Sequence, residues 1–269
     1  MMRQVDIPGL GFRCSKFIFG TASLFNVGGA ADRRRLLDAA IDQGFTHFDT
    51  APLYGFGMAE RDLGGVLKAH PEATVTSKVG LYPPGGCDQS RAAILLRKAT
   101  GKVFRPLSRA RRDFDLGRAQ KCLEGSLRRL GRDHIDLYLL HEPVLDAAGA
   151  EAWIDWLHQR IQQGQIRQFG FALPPDRPES LPAGVLAAGP VLQMSDSLDR
   201  CEADRVRRHA RSLQITYGYI SAARKRGDVR ATDEILRRAL ERNPDGAIII
   251  STKREDRLVQ YGRVLGDSP

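Results

Sequence analysis

Short runs rich in β-branched and aromatic residues alternate along this chain with segments whose apolar positions recur every three or four residues. FIFGTA (17–22) reads as a strand, and AADRRRLLDAAIDQG (30–44) as an amphipathic helix stopped by Gly44. The same alternation continues with HFDT and AERDLGGVLKAH, then with TVTSKVG and a long Pro/Gly/Arg loop from about 81 to 115. LGRAQKCLEGSLRRLG is a helix with a glycine stop, IDLYLLH a strand, GAEAWIDWLHQRIQQG a helix. QFGFA, VLQMS, ITYGYI and AIIIST read as strands; ESLPAGVLAAG, EADRVRRHARSL, TDEILRRALERN and EDRLVQYGRVL read as the helices that follow them.

About eight strand–helix units predict a parallel sheet with crossover helices. In this length they fit an α/β fold of the closed (β/α)8 TIM-barrel type, spanning 1–269 as a single domain. A doubly wound sheet is the alternative. Against it, GTASLFNVGG after the first long strand lacks the Gly-x-Gly-x-x-Gly spacing of a dinucleotide-binding turn. The leading RQVDIPGLGFRCSKF suits a short N-terminal β-hairpin with Pro8-Gly9 at its turn, capping one end of the barrel.

Composition narrows the class. The 269 residues are 42% hydrophobic and 27% charged, ordinary for a globular chain with a sizeable core. No apolar run approaches a bilayer span and no signal-peptide core opens the chain, so no membrane partner and a cytoplasmic location are expected. Cys14, Cys87, Cys122 and Cys201 lie far apart, with no C-x-x-C pair for a metal or a disulfide framework. The net charge of +9 is spread over helix-like segments, densest in RPLSRARR (105–112), and no nucleic-acid motif accompanies it. A solvated basic surface is expected rather than a nucleic-acid partner. No pattern sets an oligomeric state.

In a barrel of this kind the carboxyl ends of the strands carry the chemistry. Asp49 and Tyr54 follow the second predicted strand, Lys78 ends the third and His141 the fourth. Singly, each has a plain role: a cap, a packing ring, a surface ammonium, a loop closure before Glu142-Pro143. Together they form a proton-transfer set. An ammonium near Tyr54 lowers the pKa of a phenol that otherwise titrates near ~10. Lys78 is placed to do this, with Asp49 holding Lys78 charged and His141 donating to, or passing a proton toward, a substrate oxygen. No metal is required.

FDTAPLYGFGMAE, TSKVG, LRRLGRDHIDLYLLHEP and GQIRQFGFA, in this order and over essentially the whole chain, resemble the signature segments of the aldo/keto reductase superfamily. FDTAPLYGFGMAERDLG and RRDFDLGRAQKCLEGSLRRLG are most similar to its aldose 1-dehydrogenase branch, which includes sugar and pyridoxal dehydrogenases. The resemblance implies a barrel that binds NAD(P)H extended, without a Rossmann fold. It implies Asp49, Tyr54, Lys78 and His141 as the catalytic set, with Tyr54 the general acid. The substrate is then a small carbonyl compound or alcohol, interconverted with an alcohol, or with a lactone from a sugar. A nucleotide-sensing subunit without catalysis is the alternative.

The same resemblance implies the cofactor contacts. Tyr217 matches the tyrosine that stacks on nicotinamide and Gln193 the glutamine that binds its carboxamide. The family's Ser-Asn pair is replaced by Ala172 and Leu173, removing two hydrogen bonds of about 1 kcal/mol each. IIISTKREDRLVQ is similar to the adenosine-phosphate segment, with Ser251, Thr252, Lys253, Arg254 and Arg257 around a helix start. The cations favour NADP(H) over NAD(H), which is also allowed. Gln260 and Tyr261 stand where a Glu-Asn pair is common in the family. Many relatives extend past this last helix, so a more open pocket is expected, with the 81–115 loop as lid and its Tyr82 and basic residues meeting an anionic or large substrate. Phe25 and Phe56 are expected in an apolar wall or in the core.

Overall fold

The computed structural model describes residues 2–87, 89, 92–94, 96, 110–174, 186, 191–207 and 212–266. Eight of its strands close into one parallel barrel. They are β3 (Phe17–Gly20), β4 (His47–Asp49), β5 (Thr74–Val79), β8 (Ile135–His141), β9 (Ile166–Ala172), β10 (Val191–Ser195), β11 (Ile215–Tyr217) and β12 (Ala247–Ile250). Each pairs with the next in this order and β12 pairs back to β3. The strand–helix alternation in the sequence is therefore the (β/α)8 barrel it predicts.

Side chains alternate across each strand, and two apolar clusters result. Ile18, Leu137, Leu139, Val191, Ile215 and Ala247 share the barrel interior. Phe17, Phe19, Phe48, Tyr138, Leu140 and Phe171 join the larger cluster with the helices. Burying each of these aromatic side chains contributes about 2 kcal/mol. The hairpin of β1 (Gln4–Asp6) and β2 (Arg13–Ser15) is antiparallel, and its Val5, Ile7, Leu10 and Cys14 belong to the interior cluster. It plugs the barrel, as the sequence predicts. Lys16, 1% exposed, donates from Nζ to the carbonyls of Asn243, Pro244 and Gly246 at 2.6–2.7 Å, tying the plug to the approach of β12.

The outer helices are α1 (Ala30–Asp42), α2 (Met58–Ala69), α3 (Leu116–Leu130), α4 (Ala147–Gln162), α5 (Asp204–Arg207), α6 (Tyr219–Lys225), α7 (Thr232–Arg242) and α8 (Glu255–Gly266). Their ends follow local chemistry. Asp115 and Asp146 cap α3 and α4 through backbone N–H groups at 2.7 and 2.8 Å. Gly131 ends α3 at φ 62 and Gly44 follows α1 at φ 86.

Two sequence expectations change. The segment 81–115 is not simply a loop: β6 (Leu81–Tyr82) pairs antiparallel with β7 (Arg111–Arg112), and Ala92, Ala93 and Ile94 are helical. Most of RPLSRARR lies outside the described residues, as does ESLPAGVLAAG apart from a helical, buried Leu186. ITYGYI is strand only to Tyr217; Gly218, at φ 105, turns the backbone and α6 begins at Tyr219. Aromatic and β-branched residues gave that segment a strand-like local preference. The tertiary bond from Tyr219 Oη to Asp196, 2.8 Å long, overrides it.

Candidate active site

Asp49 is the last residue of β4, and the chain then turns through 50–57 before α2. Within that turn Gly55, Phe56 and Gly57 all have positive φ, at 60°, 59° and 78°. Two of the three are glycines, which take this backbone without cost; Phe56 does not. The tight turn folds Tyr54 back over the barrel mouth, with Tyr54 N–H bonded to Ala51 O at 2.9 Å. Lys78 comes from β5 and His141 from the end of β8. Register aligns the next group: His141 pairs with Ala172, and Ala172 with Gln193.

These side chains meet. Lys78 Nζ lies 2.6 Å from Asp49 Oδ1, 3.0 Å from Thr50 O and 3.2 Å from Tyr54 Oη. Three acceptors match the three N–H bonds of an ammonium. Asp49 and Lys78 are 4% and 2% exposed, so each charge is held chiefly by the other. Gln193 Nε2 donates to Asp49 Oδ2 at 2.8 Å, completing the carboxylate's partners across 144 residues of chain. The His141 ring stands edge-on to Tyr54, centroids 6.2 Å apart and planes at 90°.

Electrostatics corrects one expectation. Lys78 does not bring the Tyr54 pKa below its ordinary value: burial foremost, then the carboxylates of Asp49 and Glu142, push the phenol well above 10. Tyr54 is held neutral, its oxygen accepting from Lys78 and its own hydrogen left for the cavity. His141 is driven well below 6.5 by burial, with the charges of Lys78 and Arg112 adding to it, so the imidazole is neutral. Burial also lowers Lys78, and the Asp49 carboxylate opposes that shift.

A cavity of about 490 Å³ opens over this group. Asp49, Tyr54, Lys78, His141, Gln193, Tyr217 and Ser251 line it, with the apolar Ala172 and Leu173. Gln193 Oε1 and His141 Nδ1 are buried there and have no hydrogen-bond partner among the described residues. Two unpaired polar atoms beside a roomy cavity are the features of a site that completes its bonding with a ligand.

Thr252, Lys253, Arg254 and Arg257 do not line this cavity. They surround the start of α8, as expected, but in local company. Arg254 is paired to Asp256 at 2.5 Å, and Arg257 donates to Gln260 at 2.8 Å. Glu255 and Asp256 already occupy the first turn of the helix. Ser251 Oγ donates to Gly20 O at 2.8 Å. Tyr261 is 4% exposed and packs edge-on against Phe17, a core position rather than a ligand contact. Tyr82 is likewise buried, 4.3 Å from the Arg118 guanidinium, and does not face the cavity. Phe56 is buried and Phe25 packs beside Gly55; neither forms a cavity wall. The sequence reading passed over Glu142, Ser23, Asn26 and Ser221, which do line it. For Glu142 a signal was present in HEP, an acid between a strand end and a proline.

The family model for the aldo/keto reductase family matches residues 16–181, which include Asp49, Tyr54, Lys78 and His141. The chain belongs to the aldo/keto reductase family. Among relatives, it is 29% identical over 167 residues to a 6-dehydroglucose reductase of Agrobacterium fabrum, covering 58% of this chain and 49% of that protein. It is 33% identical over 161 residues to a D-threo-aldose 1-dehydrogenase of Pseudomonas sp, covering 55% of this chain and 44% of that one. The chain spans about half the length of the curated relatives it matches. As an aldo/keto reductase fold it superposes on the glycerol dehydrogenase of Gluconobacter oxydans with a TM-score of 0.76, at 22% identity, covering 99% of this chain and 91% of the other. An aldo-keto reductase of Klebsiella pneumoniae solved with NADPH gives a TM-score of 0.65 at 18% identity, covering 100% of this chain and 92% of the other. Among the described residues, no helix is long and apolar enough to cross a membrane.

Proposed function

We propose that the chain, folded as one domain over 1–269, is an NAD(P)H-dependent oxidoreductase that interconverts a small carbonyl compound with an alcohol, or a sugar with its lactone. The observation that carries this reading is the buried Asp49–Lys78 pair, with Lys78 Nζ 3.2 Å from Tyr54 Oη, at the floor of a cavity. A cytoplasmic setting agrees with the absence of a membrane-spanning helix among the described residues.

The residues present fit a nicotinamide. Gln193 Oε1 is a buried acceptor without a partner among the described residues, suited to a carboxamide N–H, and the Tyr217 ring supplies an apolar face in the same cavity. Ala172 and Leu173 offer no side-chain donor, so the carboxamide is held less firmly than by a Ser-Asn pair. Ser251, Thr252, Lys253, Arg254 and Arg257 are the candidates for the adenosine phosphates, and their three cations favour NADP(H). The NADPH in the Klebsiella pneumoniae neighbour supports the same choice. When bound, the nucleotide supplies or accepts the hydride.

The protein's own part is proton delivery. Neutral His141 orients a substrate oxygen near Tyr54 without adding a charge. As negative charge grows on that oxygen, Tyr54 gives up its proton, because an alkoxide is far more basic than a phenolate. The phenolate left behind is stabilised by Lys78, whose charge Asp49 maintains and Gln193 helps to fix. In the reverse direction Tyr54 accepts the alcohol proton.

The test is titration with NADPH and NADH followed by nucleotide fluorescence, then turnover of aldehydes, ketones and sugars. Saturable binding tighter for NADPH, with turnover, is expected; absence of binding for both nucleotides removes the reading. Binding without turnover of any carbonyl or alcohol would favour a nucleotide-sensing subunit, the second reading, which the Ala172–Leu173 replacement keeps in play.

A further inference from the structure

The chain is strongly basic, yet its cavity is not. Among the described residues, the charged side chains that line it are Asp49, Lys78 and Glu142. Asp49 and Lys78 neutralise each other at 2.6 Å. His141 is neutral. Glu142 is itself paired with Arg112, which stands outside the lining, so among the described residues this pair turns its negative end to the cavity.

Glu142 is placed with care. The β8–β9 ladder runs one residue past His141, through a bond of 2.8 Å from Glu142 N–H to Ala172 O. At Glu142 the backbone then takes φ 50, in the left-handed region, immediately before Pro143. A glutamate there costs on the order of 1 kcal/mol, and a following proline restricts it further. This backbone sets the side chain in the lining, beside the ring pair of His141 and Tyr54.

One carboxylate oxygen, Oε2, is bound by Arg112 Nη2 at 2.8 Å. Arg112 comes from β7, the strand that closes the 81–112 hairpin, and does not line the cavity. The other oxygen, Oε1, has no hydrogen-bond partner among the described residues. The side chain is 30% exposed, its surface facing the cavity mouth rather than the core. Its field reaches the reacting groups: after burial, it adds to the upward push on Tyr54 and on Tyr217.

We propose that Glu142, steadied by Arg112, is a specificity-determining residue that admits uncharged carbonyl substrates and rejects those carrying a carboxylate or phosphate. This rests on the oxidoreductase reading and names the substrate class of that site. It runs against the expectation that Tyr82 and the basic residues of the 81–115 loop meet an anionic or large substrate. A substrate anion entering the cavity meets the Glu142 carboxylate at close range in a partly dehydrated space, where one like charge is worth about tenfold in affinity.

The test uses butanal and succinic semialdehyde, which share a four-carbon chain and differ by a terminal carboxylate. kcat/KM for each is measured with NADPH in the wild-type protein, Glu142→Gln and Arg112→Ala. The wild type is expected to favour butanal by about tenfold or more. Glu142→Gln removes the negative charge and leaves Arg112, so the preference should shrink about tenfold. Arg112→Ala unmasks Glu142, so the preference should grow severalfold. A purely structural role for the ion pair moves both variants the same way, because both break the same bond. Equal preference in all three proteins, or parallel changes in the two variants, overturns the proposal while leaving the oxidoreductase reading intact. Failure of the wild type to reduce either aldehyde or any other carbonyl removes that reading, and this one with it.

Discussion

Tyr54 is a weaker acid in the folded chain than in water, which suits the proton-donor role proposed for it. A phenol held above its ordinary pKa stays protonated through neutral pH and is spent only when an alkoxide forms. Tyr54→Phe removes that proton and leaves the ring packing. Turnover should fall by about 10²–10⁴-fold while nucleotide affinity changes little, read by steady-state kinetics beside fluorescence titration. Because Tyr54 lies well above neutrality and His141 well below it, neither changes state between pH 6 and 8. The carbonyl-reduction rate should be flat over that window as long as Lys78 keeps its proton; a step in it would show that Tyr54, His141 or the burial-lowered Lys78 titrates there. The residue types at the strand ends were legible in HFDTAPLY, SKVG and LLHEP. The sign of the Tyr54 shift was not, because it depends on burial first, then on how near the Asp49 carboxylate comes and on Glu142, 88 positions away.

At the scale of elements, the turn between β4 and α2 decides where Tyr54 points. Gly57 has φ 78, and a Cβ there would meet Cys87 O at 2.8 Å and the Arg129 side chain at 3.1 Å. Gly57→Ala should therefore cost about 1–3 kcal/mol, seen as a lower urea midpoint, and should lower kcat more than it lowers nucleotide affinity. Unchanged kcat would mean that the turn does not position Tyr54. The glycines of YGFG were readable as a turn. That three successive residues take positive φ, Phe56 among them, was not, since a phenylalanine shows no local preference for it. The start of α6 shows the same limit: Tyr219 and Ile220 are locally strand-like, yet they open a helix in which Tyr219 Oη bonds Asp196, 23 residues away.

For the molecule as a whole, one part of the pH response comes from the barrel interior. His47 is fully buried between Thr74 and Thr76, its ring nitrogens 2.7 Å from both hydroxyls. Burial, with the Lys78 charge adding, brings it down from 6.5 to about 3. A lowered folded pKa means that the unfolded chain takes up the proton first as pH falls. The stability this supplies is complete above pH 6.5 and is lost on the way to about 3, on the order of a few kcal/mol. Urea midpoints should fall between pH 6.5 and 4, and His47→Gln should flatten the fall. An equal slope in that variant would assign the acid sensitivity to other groups.

The sequence by itself determined the alternation of strands and helices, the hairpin plug and the kind of residue standing at each strand end. These depend on local periodicity and on glycine and proline stops, which neighbouring residues carry together. The tertiary structure decided the electrostatic state of the site. It set Gln193 against Asp49, brought Glu142 and Tyr54 to one cavity and left Gln193 Oε1 without a partner among the described residues. Each of these is a matter of distance and burial between groups far apart in the chain, and charge interactions take their size, and often their sign, from both.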